Sequence, residues 1–230
     1  MRNPFTILLG LVCLLSLSPC RAEFIVDNRF NGYPVELWSR TNHPFFVKWT
    51  KILTREIAQD NDGMEPPSWQ GHAFHILWNG KHYYAWSASY AVAAQYREYQ
   101  TALEERRDSR RLPGGSICTL YVFDEQLSKV ASLTIDLPEE NHDTWCYKIW
   151  WLDPAGSGIS GALMSLRYSL ASRPSAKDRD MTVLVRFEER DGKLVLRQDD
   201  SCLGNPNAYS RTSLAQKALA RCMATGQPAR

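Results

Sequence analysis

The hydrophobic pattern of the chain first becomes regular at a predicted helix that begins near residue 44. Asn42-His43-Pro44 combines a residue type that caps helix N termini with a proline suited to the first helical turn. Large apolar side chains then recur at helical spacing, at Phe45, Phe46, Trp49, Ile52, Leu53 and Ile57. These positions share one side of a helix, so the pattern predicts an amphipathic helix that covers one face of a sheet.

A strand pattern lies on both sides of Asn79-Gly80. This pair of residues is the strongest short signal for a two-residue β-hairpin turn. The flanking residues 72–78 and 81–87 are therefore predicted strands. A two-residue turn places Ile76 opposite Tyr83 on one face of the hairpin.

The rest of the chain is rich in β-forming residues and contains two more helical stretches. Residues 89–111 predict a helix, with a strand that continues through Val92 as the alternative for its start. Residues 213–223 predict a terminal helix that ends at Gly226, and residues 162–171 fit either a strand or a helix. Further strands are predicted at 24–26, 34–38, 117–123, 130–137, 145–152, 181–187 and 194–196.

Together these elements predict a single α+β domain over residues 23–230. It has a mainly antiparallel sheet of about eight to ten strands, two or three helices and disulfide bonds. A chain of 230 residues is long enough to bury a sizeable core, and none of its linkers forces a second domain.

Residues 1–22 have the layout of a secretory signal peptide. Arg2 supplies the positive start, residues 5–17 form an apolar run, and a small-residue ending closes the segment at Ala22. We expect cleavage after Ala22 and a periplasmic or secreted protein.

Attachment to a membrane is disfavoured. A lipid anchor at Cys20 is the alternative to cleavage after residue 22, but Pro19 directly before the cysteine fits it badly. Beyond the N terminus, no apolar stretch reaches the roughly 18–20 residues that a membrane span requires. We therefore expect no membrane span.

The charge of the exported chain gives no reason to expect a nucleic-acid partner. The full chain has 27 basic and 25 acidic residues, and removal of residues 1–22 takes away two arginines and no acid. The two signs then balance, and a balanced chain lacks the basic surplus that nucleic acids attract.

Four cysteines remain after cleavage, and an even number in an exported chain predicts two disulfides. We expect Cys202 to pair with Cys222, which ties a polar loop to the terminal helix, and Cys118 to pair with Cys146. In a plain meander the second pair would lie two strands apart, at about 9–10 Å, whereas a disulfide spans roughly 4.4–6.8 Å. Either the strand order is not a plain meander, or the pairing differs.

Three motifs have a simpler structural interpretation than a functional one. Residues 156–161 match the GxGxxG spacing of dinucleotide sites, but a hairpin or crossover loop fits an exported chain better. His75 and His82 share a face across the predicted hairpin, yet two histidines do not fill a zinc site. The polar residues of 199–207 resemble those of an ordinary loop more than a calcium site. We expect neither a metal nor another cofactor.

Catalytic signatures are also missing from the sequence. It contains no HExxH, P-loop or SxxK motif, and the four cysteines are expected to be oxidised. The expected class is therefore a binding protein and not an enzyme.

Aromatic residues are the most informative part of the composition, with 8 tryptophans and 10 tyrosines. Trp150 and Trp151 are adjacent, so on a strand they point to opposite faces and do not both belong to the core. Exposed tryptophan and tyrosine suit protein interfaces and sugar stacking, and a tryptophan-rich core is the alternative.

The exported chain, with strand runs such as residues 118–124 (CTLYVFD) and 145–151 (WCYKIWW), resembles the periplasmic immunity proteins. These proteins neutralise antibacterial effectors, including effectors delivered by type VI secretion. The resemblance implies a tight complex with one toxin that covers the active site of the toxin. It transfers no functional residue.

The predicted contact elements are the loops at residues 60–69, 154–161 and 173–180, together with exposed tryptophans. The predicted partner-binding residues are Asp60, Asp62, Trp69, Trp150, Trp151, Ser157, Ser160, Lys177 and Asp178. A carbohydrate- or peptidoglycan-binding module with a stacking platform of tryptophans is the second hypothesis. A secreted hydrolase with a dispersed site is the third.

Cleavage of residues 1–22 predicts the mass of the exported protein. The mature chain should begin at Glu23 with a free amino group, because the small-residue ending before it suits signal peptidase. Intact-mass spectrometry of the protein recovered from the cell envelope measures this directly. A mass that corresponds to an acylated Cys20 at the N terminus would contradict the prediction.

Overall fold

The computed structural model describes residues 24–27, 29–30, 33–34, 44–60, 69–91, 101, 105, 116–138, 145–169 and 178–228. The signal peptide, the lipid-anchor alternative and the predicted contact residues Asp62 and Lys177 fall outside these residues and stay predictions. Most of the helix predicted at 89–111 also lies outside them.

The described residues form two helices and eleven strands. The helices are α1 (Pro44–Asp60) and α2 (Thr212–Thr225). The strands are β1 (Phe24–Asp27), β2 (Arg29–Phe30), β3 (Tyr33–Pro34), β4 (Trp69–Trp78), β5 (Lys81–Ala91), β6 (Ser116–Phe123), β7 (Lys129–Thr134), β8 (Trp145–Pro154), β9 (Gly161–Ser169), β10 (Arg179–Arg190) and β11 (Lys193–Gln198).

Nine of these strands form one sheet in the order β1-β4-β5-β6-β8-β9-β10-β11, with β7 paired to β6 beside this path. The pairings are antiparallel except for β6 with β8, which are parallel and meet at Ser116 and Trp145. Strands β2 and β3 form a separate antiparallel pair. The α+β fold with a mainly antiparallel sheet, two helices and disulfides is thereby confirmed.

The nine-stranded sheet bends so that the inner faces of its two halves pack together. We call β1 and β4–β7 the N-terminal half and β8–β11 the C-terminal half. The ring of Phe187 in β10 lies 4.9 Å from the ring of Phe24 in β1 and 6.0 Å from that of Trp78 in β4. Because side chains alternate along a strand, every second residue of each half enters this apolar core.

Helix α1 covers the outer face of the N-terminal half. Its residues Trp49, Leu53 and Ile57 repeat at four-residue spacing and are at most 2% exposed. They pack against outward-facing side chains that include Trp86 and Phe123, and the ring of Trp49 meets that of Trp86 edge-on at 5.0 Å. The predicted amphipathic helix is therefore confirmed from Pro44, and it lies on the sheet as expected.

Helix α2 covers the outer face of the C-terminal half. Its buried residues Ala215, Leu219 and Cys222 pack against Leu163 of β9 and Leu184 of β10. The domain therefore has four layers, in the order helix, sheet, sheet, helix. None of the described helices has both the length and the apolar character that a membrane crossing would need.

Both predicted disulfides are present. Cys202 and Cys222 have Cα atoms 5.6 Å apart, and Cys118 and Cys146 have Cα atoms 5.7 Å apart. The second distance is short because β7 borders only the later part of β6, so that β8 lies beside the beginning of β6. The strand order is thus not a plain meander, which removes the conflict that the sequence raised.

The predicted strand pairings are confirmed, with one correction. Ile76 lies opposite Tyr83 in the first hairpin, and the ambiguous segment at 162–171 is a strand as far as it is described, because β9 covers Gly161–Ser169. The helix predicted from Ser89 is wrong at its start, because β5 continues to Ala91. Its residues 89 and 90 pair with β6, which is a tertiary contact that local helix propensity does not record.

Loss of the Cys202–Cys222 bond should destabilise the domain, since the bond holds α2 against the loop that follows β11. The double substitution C202A/C222A should lower the free energy of unfolding by about 2–4 kcal/mol. Denaturant unfolding followed by circular dichroism measures the change. The control is M223A at an adjacent residue that is 56% exposed, and this substitution should stay near the wild-type midpoint. Equal midpoints for the double variant and the control would contradict the prediction.

Candidate functional site

Four hairpin loops lie at the same end of the sheet. Each joins two antiparallel neighbours: β4 to β5, β6 to β7, β8 to β9, and β10 to β11. Since β6 and β8 are parallel, the loops of both halves emerge on the same side. We call these four loops, residues 79–80, 124–128, 155–160 and 191–192, the turn end.

Two of the loops are tight two-residue turns with a defined backbone. Asn79 and Gly80 have φ angles of 51° and 71°, and Asp191 and Gly192 have φ angles of 52° and 73°. Positive φ at both central residues is the geometry of a type I′ turn, which matches the twist of the strands that it joins. These two loops are therefore set in shape by their own sequence.

The loop between β6 and β7 is held by Asp124. Its carboxylate oxygen Oδ1 accepts hydrogen bonds from the backbone N–H groups of Gln126, at 2.9 Å, and Ser128, at 2.8 Å. The Leu127 N–H donates to the Asp124 carbonyl at 3.0 Å. This side-chain turn fixes the loop in the way that Asp residues commonly do.

The loop between β8 and β9 is attached to both halves of the sheet through Ser160. Trp78 Nε1 donates a hydrogen bond of 2.6 Å to the Ser160 hydroxyl, which donates in turn to the Phe187 carbonyl at 3.0 Å. Gly161 follows, and a Cβ atom there would lie only 2.5 Å from the Val185 carbonyl oxygen. The GxGxxG match is therefore a hairpin loop, as its setting in the sequence indicated.

Three of the four loops surround a pocket of about 540 Å³. Its floor includes Tyr83, Val130 and Leu194, and its rim carries charged residues. The lining residues are Gly80, Lys81, His82, Tyr83, Asp124, Glu125, Gln126, Val130, Gly192, Lys193 and Leu194. The pocket thus combines an apolar floor with polar groups of both signs, which is the usual composition of a binding site.

The charged groups on the rim are available to a partner. Lys81, Glu125 and Lys193 form no ion pair with the described part of the chain, and Lys81 and Glu125 are exposed. At the floor, burial raises the pKa of the Tyr83 hydroxyl, and the carboxylates of Glu189 and Asp124 raise it further. Tyr83 is therefore a neutral hydrogen-bonding group at physiological pH.

A second cavity of about 550 Å³ lies at the opposite end of the sheet. Arg179 and Asp180 line it with Tyr168, and the Asp180 carboxylate is paired with Arg167 at 2.8 Å. The Asp180 carboxylate is therefore already paired within the protein, whereas the rim charges of the turn-end pocket are not paired with the described residues.

Two histidines lie beside the turn-end pocket, on the outer face of the first hairpin. His75 Nε2 and His82 Nδ1 are 2.9 Å apart, and the two rings are within 11° of parallel. Burial lowers the pKa of His75, and the neighbouring His82 lowers it further. The carboxylates of Asp27 and Glu125 oppose this shift. Among the described residues, no three His, Cys, Asp or Glu side chains gather at one point.

The predicted contact residues do not form a single surface. Ser157 is exposed in the turn end, whereas Ser160 of the same loop is half-buried. Asp178 is exposed at the start of β10, which lies at the opposite end of the sheet. Trp69 and Trp150 lie in β4 and β8 respectively.

Asp60, another predicted contact residue, lies at the end of α1 and holds the helix to the sheet. Lys129 Nζ at the start of β7 lies 3.4 Å from its carboxylate and 2.9 Å from that of Glu56. Burial alone would lower the pKa of Lys129, but hydrogen bonds and charge from Glu56 and Asp60 raise it overall. Asp60 is exposed, and through its contact with Lys129 it also has a structural role.

The tryptophans whose side chains are described are mostly core residues. Trp49, Trp78 and Trp86 are between 2% and 4% exposed, whereas Trp151 is 50% exposed. The pairing of β8 with β9 shifts between Ile149 and Trp151, and Trp151 projects outward after this irregularity. The described part of the chain therefore presents one exposed tryptophan and not a row of them.

Sequence reasoning missed the turn-end pocket and its rim of Lys81, Glu125 and Lys193. Lys81 follows the predicted turn at Asn79-Gly80, and Glu125 and Lys193 each lie between two predicted strands, so the sequence pattern placed them individually near strand ends. Only the strand order brings the three turns together, because they are far apart along the chain. The sequence signal that could have indicated this pocket was the presence of charged residues in several hairpin turns.

Comparison with protein-family models, with curated proteins and with solved structures finds no significant match for this chain.

His75 should titrate below the ordinary range of a histidine. His75 is the buried member, so its imidazole should lose its proton below the usual pKa of about 6.5. Stability should fall as pH decreases below that value, because the unfolded chain then binds the proton more readily. Nuclear magnetic resonance of the His75 ring measures its pKa. In H82Q the pKa of His75 should rise, since the neighbouring charge is gone, and an unchanged value would contradict the assigned coupling.

Proposed function

We propose that this chain is an exported binding protein of the bacterial envelope that neutralises a toxin by forming a tight protein–protein complex. The observation that carries the proposal is the turn end, where four loops from both halves of the sheet emerge on one side and three of them line one pocket. We assign the contact with the toxin to this surface.

The rigidity of the turn end favours tight binding. Two of its loops are type I′ turns, a third is held by Asp124 and the fourth by Ser160. Loops that are already in their bound shape lose little conformational entropy on association, so more of the contact energy remains as affinity. Such a surface suits an inhibitor that must hold its target continuously.

The pocket of the turn end suits one protruding side chain of the partner. Strong protein interfaces concentrate their energy in an anchor side chain that fills a pocket, surrounded by a polar rim. Here Tyr83, Val130 and Leu194 supply the apolar floor, and Lys81 and Lys193 belong to the rim. Uncommitted rim charges of both signs select a partner of complementary pattern and discriminate against others.

The two disulfides support a location outside the cytoplasm. Stable disulfides are typical of oxidising compartments such as the bacterial periplasm. Together with the signal-peptide pattern of residues 1–22, they favour action in the periplasm or outside the cell. That is the compartment in which immunity proteins of this general kind meet their toxins.

A glycan-binding function has weaker support. A stacking platform needs several exposed aromatic rings, and three of the four described tryptophan side chains are buried. Trp151 is the specific observation in favour of this alternative, since a single exposed ring is able to stack on one sugar.

The turn-end assignment predicts which substitutions abolish protection. In K81E/K193E two rim lysines change sign, so affinity for the partner should fall at least about tenfold through like-charge repulsion. The partner is captured from envelope extract with the wild-type protein, identified by mass spectrometry and purified. Its affinity for each variant is then measured by surface plasmon resonance.

The matched control is R211E/R221E, which reverses two exposed charges away from the turn end and from the predicted contact loops. It should bind the partner and restore growth of cells that produce the partner in the periplasm, as the wild type does, whereas K81E/K193E should not. Equal affinity of both variants would contradict the turn-end assignment. A captured partner that is not toxic, or toxicity that co-export of this chain leaves unchanged, would contradict the proposed function.

A further inference from the structure

The histidine pair at the first hairpin has the geometry of a chelating site. His75 of β4 and His82 of β5 are diagonal neighbours on one face, because Leu77 lies opposite His82 and Tyr84 lies opposite His75. Their facing ring nitrogens, Nε2 of His75 and Nδ1 of His82, are 2.9 Å apart. Both residues lie on paired strands next to a tight turn, so the backbone holds the two rings in register.

A contact of this length between two imidazoles contains one proton. One nitrogen donates it and the other accepts it, because two protonated nitrogens would repel at this distance and two bare ones would form no hydrogen bond. At least one nitrogen therefore presents a lone pair.

The two facing nitrogens are close enough to bind one metal ion together. Two neighbouring ligands at about 90° around a metal, with bonds of about 2.0–2.1 Å, have their nitrogens roughly 2.8–3.0 Å apart. A tetrahedral angle would separate them by roughly 3.3 Å. The 2.9 Å separation is that of a hydrogen bond in the metal-free protein, and the rings need to move little from it to occupy adjacent positions of a tetragonal centre, which Cu(II) and Ni(II) prefer.

The surroundings of the pair favour a dication. Asp27 of β1 lies directly opposite His75 in the sheet, and Glu125 of the next turn also acts on His75 electrostatically. Both carboxylates place negative charge near the two nitrogens. His82 is exposed and His75 is half-buried, so solvent reaches the site and water completes the coordination.

We propose that His75 and His82 form a two-histidine site for a tetragonal divalent metal, with Cu(II) as its best ligand. Cu(II) forms the most stable complexes of the divalent first-row ions with nitrogen ligands. On binding, the proton that the two nitrogens share moves to the outer nitrogen of the donor ring, so that both facing nitrogens present lone pairs and each imidazole coordinates as a neutral ligand. This chain contains both ligands, so metal binding is measured on the protein alone, without the proposed toxin; His82 also lines the turn-end pocket.

Titration of the untagged, exported protein with Cu(II) tests the proposal. Isothermal calorimetry should show one site, and the electron paramagnetic resonance spectrum should show coupling to two imidazole nitrogens. Each of H75Q and H82Q should weaken binding at least about tenfold, because the second ligand no longer acts at high effective concentration. Affinity should also decrease as the pH is lowered, since protons compete for both nitrogens.

The control is H72Q, which removes a histidine from the same strand and should leave the affinity unchanged. The double variant H75Q/H82Q measures the background from the amino terminus and the other histidines. Circular dichroism confirms that each variant is folded. Equal Cu(II) affinity in the wild type and the double variant, or a wild-type spectrum without two imidazole nitrogens, would overturn the proposal.

Discussion

The structure depends on the burial of one face of each half of the sheet against the other. The inner residues Ile76, Leu120, Met164 and Val185 are all inaccessible to solvent, and they come from strands of both halves. Side chains alternate along a strand, so burial of one face leaves the apolar residues of the other face in need of a cover. Helices α1 and α2 supply that cover, and the four-layer order follows from this constraint.

The exchange of neighbours along β6 makes the packing of the two halves possible. Its later part borders β7, while its beginning meets β8 in a parallel contact at Ser116. The sheet thereby continues from one half into the other beside the Cys118–Cys146 bond. Because β6 and β8 run in the same direction, all four hairpin loops emerge at one end. The same topological step therefore produces the core and the proposed binding surface.

Both proposed sites use groups that the fold itself does not need. The rim lysines of the pocket and the histidine pair lie on or beside tight turns, whose backbone geometry is already determined by Asn79-Gly80 and Asp191-Gly192. Ser160 shows the opposite case, because its hydroxyl joins Trp78 of one half to the backbone of the other. The residues of the turn end thus differ in role: the Ser160 hydroxyl is already hydrogen-bonded within the fold, whereas the side chains of the rim lysines are not hydrogen-bonded to the described part of the chain.

The sequence by itself determined the hairpin at Asn79-Gly80 and the amphipathic face of α1, and it indicated two disulfides among four cysteines. These features depend on near neighbours or on a small number of cysteines, and local pattern records them well. Only the tertiary structure decided that Ser89 and Tyr90 extend β5, that Trp78 is buried while Trp151 is exposed, and that the turns meet around one pocket. Those outcomes follow from strand order, which depends on contacts between residues far apart along the chain.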